Sequence, residues 1–336
     1  MDHDSVIIVT GAAGFIGSYM VGYLNRRGFR NIIISDDFSE KDKLPNYIEK
    51  NIFVRVDRED LFDWLRKNPV HIDFVFHLGA RTDTTEFDYS IHEKWNVEYS
   101  KQLWHYCADN NVPLVYASSA ATYGSGELGY KDDHEIIEKL NPLNPYGVSK
   151  NEFDKWALKQ ENHPPFWAGL KFFNVYGPNE YHKGRMASVV FHAFNQVRDS
   201  GQVKLFRSHD SRYKDGEQLR DFIYVEDVAK IMYWIMLTVA DIKSPSTVKL
   251  GSGLYNVGTG HARTFNDLVA AIFKSLHLQP AIEYVDTPQD IRDKYQYFTE
   301  ADMTKLHAAG YHDAFYSLEE GIDEYVRNFL LGHKYY

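Results

Sequence analysis

Tyr146 and Lys150 stand four residues apart in Tyr146-Gly-Val-Ser-Lys150, directly after the Pro-rich stretch 141–145. On a helix, positions i and i+4 share one face. An ammonium beside a phenol favours the phenolate and draws a tyrosine pKa down from about 10 towards working pH. Such a tyrosine can take a hydroxyl proton while hydride leaves the neighbouring carbon. For an isolated Tyr-x-x-x-Lys, a solvated surface pair is the plainer reading. Here a strand ending Ala117-Ser118-Ser119 precedes Tyr146. A hydroxyl at the C-terminal edge of a strand sits where doubly wound folds bind ligands, so Ser119 is placed to bond the reacting oxygen.

Gly11-Ala-Ala-Gly14-Phe15-Ile16-Gly17 offers a second chemistry, the cradling of phosphate. Gly11 permits a tight turn, Gly14 lets backbone approach a pyrophosphate, and Gly17 lets a helix pack close to a strand. The helix that follows supplies free N–H groups and a positive partial charge. The spacing is GxxGxxG rather than GxGxxG, and three turn glycines are the bland alternative. Asp36 and Asp37 close the next strand, where an acid accepts hydrogen bonds from ribose hydroxyls. Two acids oppose a 2′-phosphate and favour NAD, whereas Lys41, Lys43 and Arg58 are cations able to reverse that preference. These residues leave the choice between NAD and NADP open.

The surrounding elements must hold these groups in place. Residues 6–10 are a continuous apolar and β-branched run, as in a strand buried on both faces. Helical periodicity follows over 15–27 and stops at Gly28. Further strands are expected at 32–35, 53–56, 74–78, 114–117 and 170–173, with helices at 59–67, 93–110 and 146–160. Strands alternating with helices of this length predict an α/β chain with a doubly wound (Rossmann) parallel sheet and right-handed crossovers. Residues 1–178, with return segments near 221–258, form the expected dinucleotide-binding domain. Residues 179–220 and 259–336 form a smaller C-terminal α/β substrate domain. The polar stretch 208–219 is predicted to be a surface loop.

Composition narrows the rest. The 336 residues carry a net charge of −10, which gives no basic footprint for nucleic acid. One cysteine, Cys107, excludes an internal disulfide framework and a CxxC site. Fifteen histidines are scattered without HExxH, so no metal site is expected. His77, at a strand end, reads as a packed, hydrogen-bonded core residue. GxxxxGK[ST] and GxSxG are absent. The N-terminus has acids where a signal peptide has basic residues, and the apolar run 231–240 is too short for a membrane helix. A cytoplasmic protein without a membrane partner is the expectation.

The chain resembles the extended short-chain dehydrogenase/reductase family. The resemblance lies in TGAAGFIG, Ser119-Ala-Ala-Thr-Tyr123-Gly124, YGVSK, Phe173-Asn174-Val-Tyr-Gly177-Pro178, RDFIYVEDVA (220–229) and Tyr255-Asn-Val-Gly258. HLGARTDTTEFD (77–88), FFNVYGPNEYHKGRMASVVFH (172–192) and YQYFTEADMTKLHAAGY (295–311) resemble the ADP-L-glycero-D-manno-heptose 6-epimerases in particular. That resemblance implies a retained NADP or NAD, a nucleotide-diphosphate sugar substrate used for lipopolysaccharide, and a homo-oligomer. It places Ser119, Tyr146 and Lys150 as catalytic, with Lys183 as a second acid/base group facing Tyr146 across the sugar. It assigns Gly11, Gly14, Phe15, Ile16, Gly17, Asp36, Asp37, Lys43, Arg58, Leu78, Gly79, Ala80, Arg81, Thr82, Asn96 and Val175 to the cofactor, together with Tyr146 and Lys150. Thr84, Asn174, Arg185, His192, Phe206, Arg220 and Tyr295 fall to the sugar nucleotide. Arg220 is the diphosphate candidate, its plainer alternative being a salt bridge to Asp221. Three features depart from the family: Lys171 in place of Arg, Asp37 in place of Asn, and a longer 208–219 loop. A UDP-hexose 4-epimerase is the alternative enzyme. A non-catalytic dinucleotide-binding sensor or scaffold is the alternative outside catalysis.

Overall fold

β1 (Ile7–Thr10) and β2 (Ile32–Asp36) are buried along their whole length, the condition their unbroken apolar runs demand. A computed structural model describes residues 1–240, 250–292 and 295–336, without the side chains of residues 290 and 291. In it the chain continues through β3 (Val54–Asp57), β4 (Phe74–His77), β5 (Leu114–Ser119) and β6 (Trp167–Phe172). β7 (Asn174–Tyr176), β8 (Val203–Phe206), β9 (Leu219–Arg220), β10 (Phe222–Tyr224), β11 (Gly253–Val257), β12 (Arg263–Thr264) and β13 (Ile282–Val285) follow.

Seven strands form one sheet in the order β11-β6-β5-β4-β1-β2-β3, parallel throughout. The chain moves outward from β1 to β3, then returns to place β4 on the other side of β1. That reversal opens a crevice at the carboxyl ends of β1 and β4, where doubly wound sheets bind ligands. Thr10 and His77 are register partners at its floor. His77 is buried, its two ring nitrogens bonded to Thr10 Oγ1 (2.7 Å) and Ser100 Oγ (2.8 Å).

The helices are α1 (Phe15–Arg26), α2 (Leu61–Lys67), α3 (Tyr89–His92), α4 (Tyr99–Asp109), α5 (Pro145–Ala157), α6 (Val189–Ser200), α7 (Val225–Ala240), α8 (Phe265–Ser275), α9 (Gln289–Arg292), α10 (Thr304–Ala308) and α11 (Leu318–Tyr325). α3 runs into α4 through a π-helical stretch, Glu93–Glu98. α1 packs against α7, while α8 packs against α6 and α11. Beside these, β8 pairs with β13, β9 with β12 and β7 with β10 as short ribbons. β11 instead rejoins the large sheet beside β6. The 208–219 stretch is mostly at the surface, but Gln218 is buried and Leu219 already pairs in β9. The part of the expected return segment at 241–249 lies outside the described residues.

Candidate active site

The turn after β1 leaves no room for side chains. Gly11 has φ +67°, and a Cβ there would lie 2.5 Å from the Gly79 nitrogen. A Cβ on Gly17 would lie 2.1 Å from the Gly11 carbonyl oxygen. The backbone of α1 is thereby drawn against the crevice floor. Gly14 is the N-cap of α1 and no side chain caps it, so the first N–H groups of the helix are left for an anion.

One cleft gathers Gly11, Gly14, Phe15, Ile16, Gly17, Asp36, Lys43, Arg58, Leu78, Gly79, Ala80, Arg81, Thr82 and Lys183. Asp36 accepts from the Ala13 amide (2.9 Å), the Asp37 amide (2.7 Å) and Lys43 Nζ (3.3 Å). Asp37 stands just outside the lining. It accepts from Arg58 Nη2 (2.8 Å) and Ser39 Oγ (2.6 Å); the Ser39 hydrogen bonds, with the Arg58 and Lys43 charges, hold its carboxyl below the usual range. Arg58 also lies 3.8 Å over the Trp95 ring. Glu40 also lines this end of the cleft and meets Lys43 at 3.3 Å, so three acids and two cations gather there.

Ser119, Tyr146, Lys150, Asn96 and Val175 lie outside that lining. Asn96 links the two regions. Its Oδ1 accepts from the Arg81 amide (2.7 Å), and its Nδ2 donates to the Arg81 carbonyl (3.0 Å) and to Ser149 Oγ on α5 (2.9 Å). Asn144 caps α5 through the Gly147 amide (2.8 Å), and Pro145 occupies the first turn. A Cβ on Gly147 would lie 2.8 Å from the Ala121 carbonyl, so α5 starts hard against the turn that follows Ser119. Burial raises the Tyr146 phenol, the Ser119 hydroxyl opposes that shift, and Asp154 adds to it. This corrects the expectation that Lys150 lowers the phenol in the chain itself. The reason is burial, the largest influence on the phenol; Lys150 Nζ donates to the Ala117 carbonyl (2.8 Å). Burial pulls the Lys150 pKa down to about 8, with Asp154 opposing.

Lys183 reaches the cleft on the turn Tyr181–Met186, and its Nζ lies 5.4 Å from the Phe15 ring centre. Asn46 ties this turn to the glycine loop. It donates to the carbonyls of Ala13 (2.8 Å) and Asn179 (3.2 Å) and lies 3.2 Å from His182 Nδ1. Burial lowers the Lys183 pKa and Glu180 partly restores it.

The residues assigned to the sugar nucleotide fall into separate groups. Thr84 Oγ1 contacts Met186 Sδ at 3.8 Å, and His192 Nε2 lies 3.3 Å from the Arg185 carbonyl, so this group flanks the Lys183 turn. Phe206, Arg220 and Tyr295 form another, with Tyr295 edge-on to Phe206 at 6.2 Å and beneath the Arg220 guanidinium at 5.4 Å. Asn174 has an exposed side chain at the start of β7. Among the described residues no carboxylate pairs with Arg220, which donates to the Leu219 carbonyl (2.8 Å) and the Gln296 carbonyl. Asp221 is otherwise engaged, accepting from the amides of Thr259 (2.7 Å), Gly260 (2.9 Å) and Ala301 (3.0 Å). A buried guanidinium without an acid suits a diphosphate. Sequence reasoning missed Trp95, Tyr99 and Met186 in the cleft lining, and no local pattern marks them. Among the described residues no cluster of metal-ligating side chains occurs, and no helix is long and apolar enough to cross a membrane.

Residues 7–258 match the model of the NAD dependent epimerase/dehydratase family. A curated ADP-L-glycero-D-manno-heptose-6-epimerase of Fusobacterium nucleatum is 48% identical over 97% of this chain and 98% of its own. The crystal structure of the Helicobacter pylori ADP-L-glycero-D-manno-heptose-6-epimerase superposes with TM-score 0.78 at 27% identity, covering 97% of this chain and 96% of that one. A UDP-N-acetylglucosamine 4-epimerase from Methanobrevibacter ruminantium gives the same TM-score at 25% identity, covering 98% and 100%.

Proposed function

Because the chain belongs to the NAD dependent epimerase/dehydratase family, we propose that it inverts C6 of an ADP-linked glycero-manno-heptose through a transient 6-ketone. The observation that carries the substrate is the 48% identity to a heptose epimerase along nearly the whole of both chains. The cleft fits the dinucleotide. The uncapped start of α1 would hold its pyrophosphate, and no side chain fits at Gly11. When bound, the dinucleotide accepts hydride from the sugar carbon and returns it. Lys43 and Arg58 give a 2′-phosphate two cations, so NADP is the form proposed, with NAD the form that Asp36 and Asp37 would select instead.

The protons fall to the chain. Ser119 bonds the reacting oxygen, and Tyr146, held by the capped first turn of α5, exchanges a proton with one epimer. The other epimer presents its hydroxyl to the opposite side, and this is the role of Lys183. Burial lowers its pKa below the ordinary lysine value, which favours a role in proton transfer. Tyr146 and Lys183 exchange roles with the direction of reaction. Arg220 holds the diphosphate, Phe206 and Tyr295 frame it, and Asn174 and Val175 bridge sugar and cofactor. Thr84, Arg185 and His192 flank the sugar. The enzyme works in the cytoplasm as a homo-oligomer and supplies heptose for lipopolysaccharide.

Mass spectrometry of molecules released on denaturation, with NMR of ADP-D-glycero-D-manno-heptose incubated with the protein, tests this reading. Released NADP and inversion at C6 are expected. Inversion with released NAD changes only the cofactor form. Interconversion of UDP-hexoses at C4 without change in the heptose would move the assignment to the 4-epimerases. A protein with no bound dinucleotide would contradict the retained-cofactor mechanism.

A further inference from the structure

Beneath the reacting groups lies an ion pair with no solvent access. Lys171 on β6 and Asp154 on α5 meet at 2.7 Å, and both side chains are fully buried. Asp154 also accepts from Ser118 Oγ (2.7 Å) and Tyr116 OH (3.0 Å), both on β5. Lys171 donates a second time, to Thr122 Oγ1 (2.8 Å), and Thr122 in turn donates to the Ser119 carbonyl (2.7 Å). One side of the network thus holds the backbone of Ser119 and its neighbour Ser118. The other lies one helical turn beyond Lys150, on the same face of α5. A buried pair of this kind costs desolvation that hydrophobic residues would avoid, so packing alone gives it no purpose.

We propose that Asp154 and Lys171 are positioning residues that hold Ser119 and Lys150 in register and balance the charge beneath Tyr146. This rests on the catalytic roles given above to Ser119, Tyr146 and Lys150. Neither residue touches the substrate. Lys171 also accounts for a departure from the family pattern: a lysine at this point reaches Asp154 and Thr122 with single hydrogen bonds.

The other titratable groups around Lys150 and Tyr146 are few. On β4, His77 stays neutral because burial holds it at about 3. His92 lies 6.5 Å from the Tyr146 ring. Tyr116 and Tyr123, raised by burial, are neutral at working pH. His134, on the turn before α5, is held at about 4. Glu138 is engaged on the outer face by Lys155 and Lys159, and Glu152 by Tyr89. Asp154 and Lys171 are therefore the charges that set the balance.

Lysine 13Cε NMR titration of the purified holoprotein tests the proposal without substrate, with Lys150→Met assigning the Lys150 signal. Removing the acid in Asp154→Asn lowers the Lys150 midpoint, and removing the cation in Lys171→Met raises it, each by about one pH unit. Lys171→Arg restores the original midpoint. If the heptose is turned over, the rising limb of kcat/KM moves down in Asp154→Asn and up in Lys171→Met. Opposite shifts are not produced by loosened packing. Midpoints that stay put, or that move the same way in both variants, overturn the proposal. Should one charge-removing variant fail to fold, the other decides alone. An inactive wild type with the expected opposite shifts would overturn the substrate reading and leave the positioning roles standing.

Discussion

Around the glycine loop, one turn of seven residues and the helix it opens offer a phosphate several backbone N–H groups. Around Arg220, the offer is one guanidinium steadied by carbonyls of Leu219 and Gln296 and by rings from Phe206's neighbour Tyr295 and from Phe265. The first site is made of backbone contiguous in sequence. The second is made of side chains that only the folded chain brings together. A backbone site resists loss of any one side chain but does not tolerate an added Cβ. A side-chain site fails at a single position and is free to change its ligand. The dinucleotide half is thus built for permanence, and the sugar half for specificity.

Tyr146, proposed as an acid/base group, gives the largest test of the contrast. Tyr146→Phe is expected to lower turnover by about 10²–10⁴-fold while the dinucleotide stays bound. Loss of the dinucleotide with the hydroxyl would show that the two regions are not separable. A protein that acts only as a sensor would lose nothing.

Acid should strike the dinucleotide half first. His77 in the folded chain is held at about 3 by burial, against an ordinary value near 6.5. Between these values the unfolded chain takes up a proton that the folded chain refuses. Stability is therefore complete above pH 6.5 and falls as pH drops towards 3. Urea unfolding should show a loss of about 2–3 kcal/mol from His77 between pH 6.5 and 4.5; His134 and His182, each held at about 4, add to it, so His77→Gln should lessen the slope without abolishing it. An unchanged slope in the variant would assign the acid sensitivity elsewhere.

Much of the first region is legible in sequence because its contacts are local. The strand, glycine turn and helix are consecutive, and Tyr146 and Lys150 share a helix face by spacing alone. Bonding across the fold is not legible. Nothing near Tyr146 in sequence shows how deeply the fold buries it, so the expected lowering of its pKa does not follow. Asn96 is visible as a helix residue, but its grip on Arg81 and Ser149 emerges only where three elements meet. Phe206, Arg220 and Tyr295 carry no shared motif, and only the resemblance to a family picks them out. Lys171 is noticeable in sequence as a departure, and its purpose becomes visible once Asp154 stands opposite.

Arg220→Gln sharpens the other side of the comparison. It should raise KM about tenfold to a hundredfold, as loss of charge-assisted hydrogen bonds does, with dinucleotide content unchanged. A fall in kcat with KM intact would place Arg220 outside the diphosphate site. The smallest effect belongs to Arg58→Gln. Partly exposed beside Asp37, it should shift the ratio of NADP to NAD recovered from the protein by a few-fold, roughly 1 kcal/mol or less. An unchanged ratio would leave Lys43 as the cation that matters.

The central claim is that the sugar carbon gives up a hydride and receives the same one back on its other face. Epimerisation of ADP-heptose carrying deuterium at C6, in ordinary water, addresses it most directly. The account predicts that the inverted product keeps its deuterium at C6. Loss of the label to solvent would mean that C6 is deprotonated rather than oxidised, and the roles given to the dinucleotide cleft, Tyr146 and Lys183 would fall together.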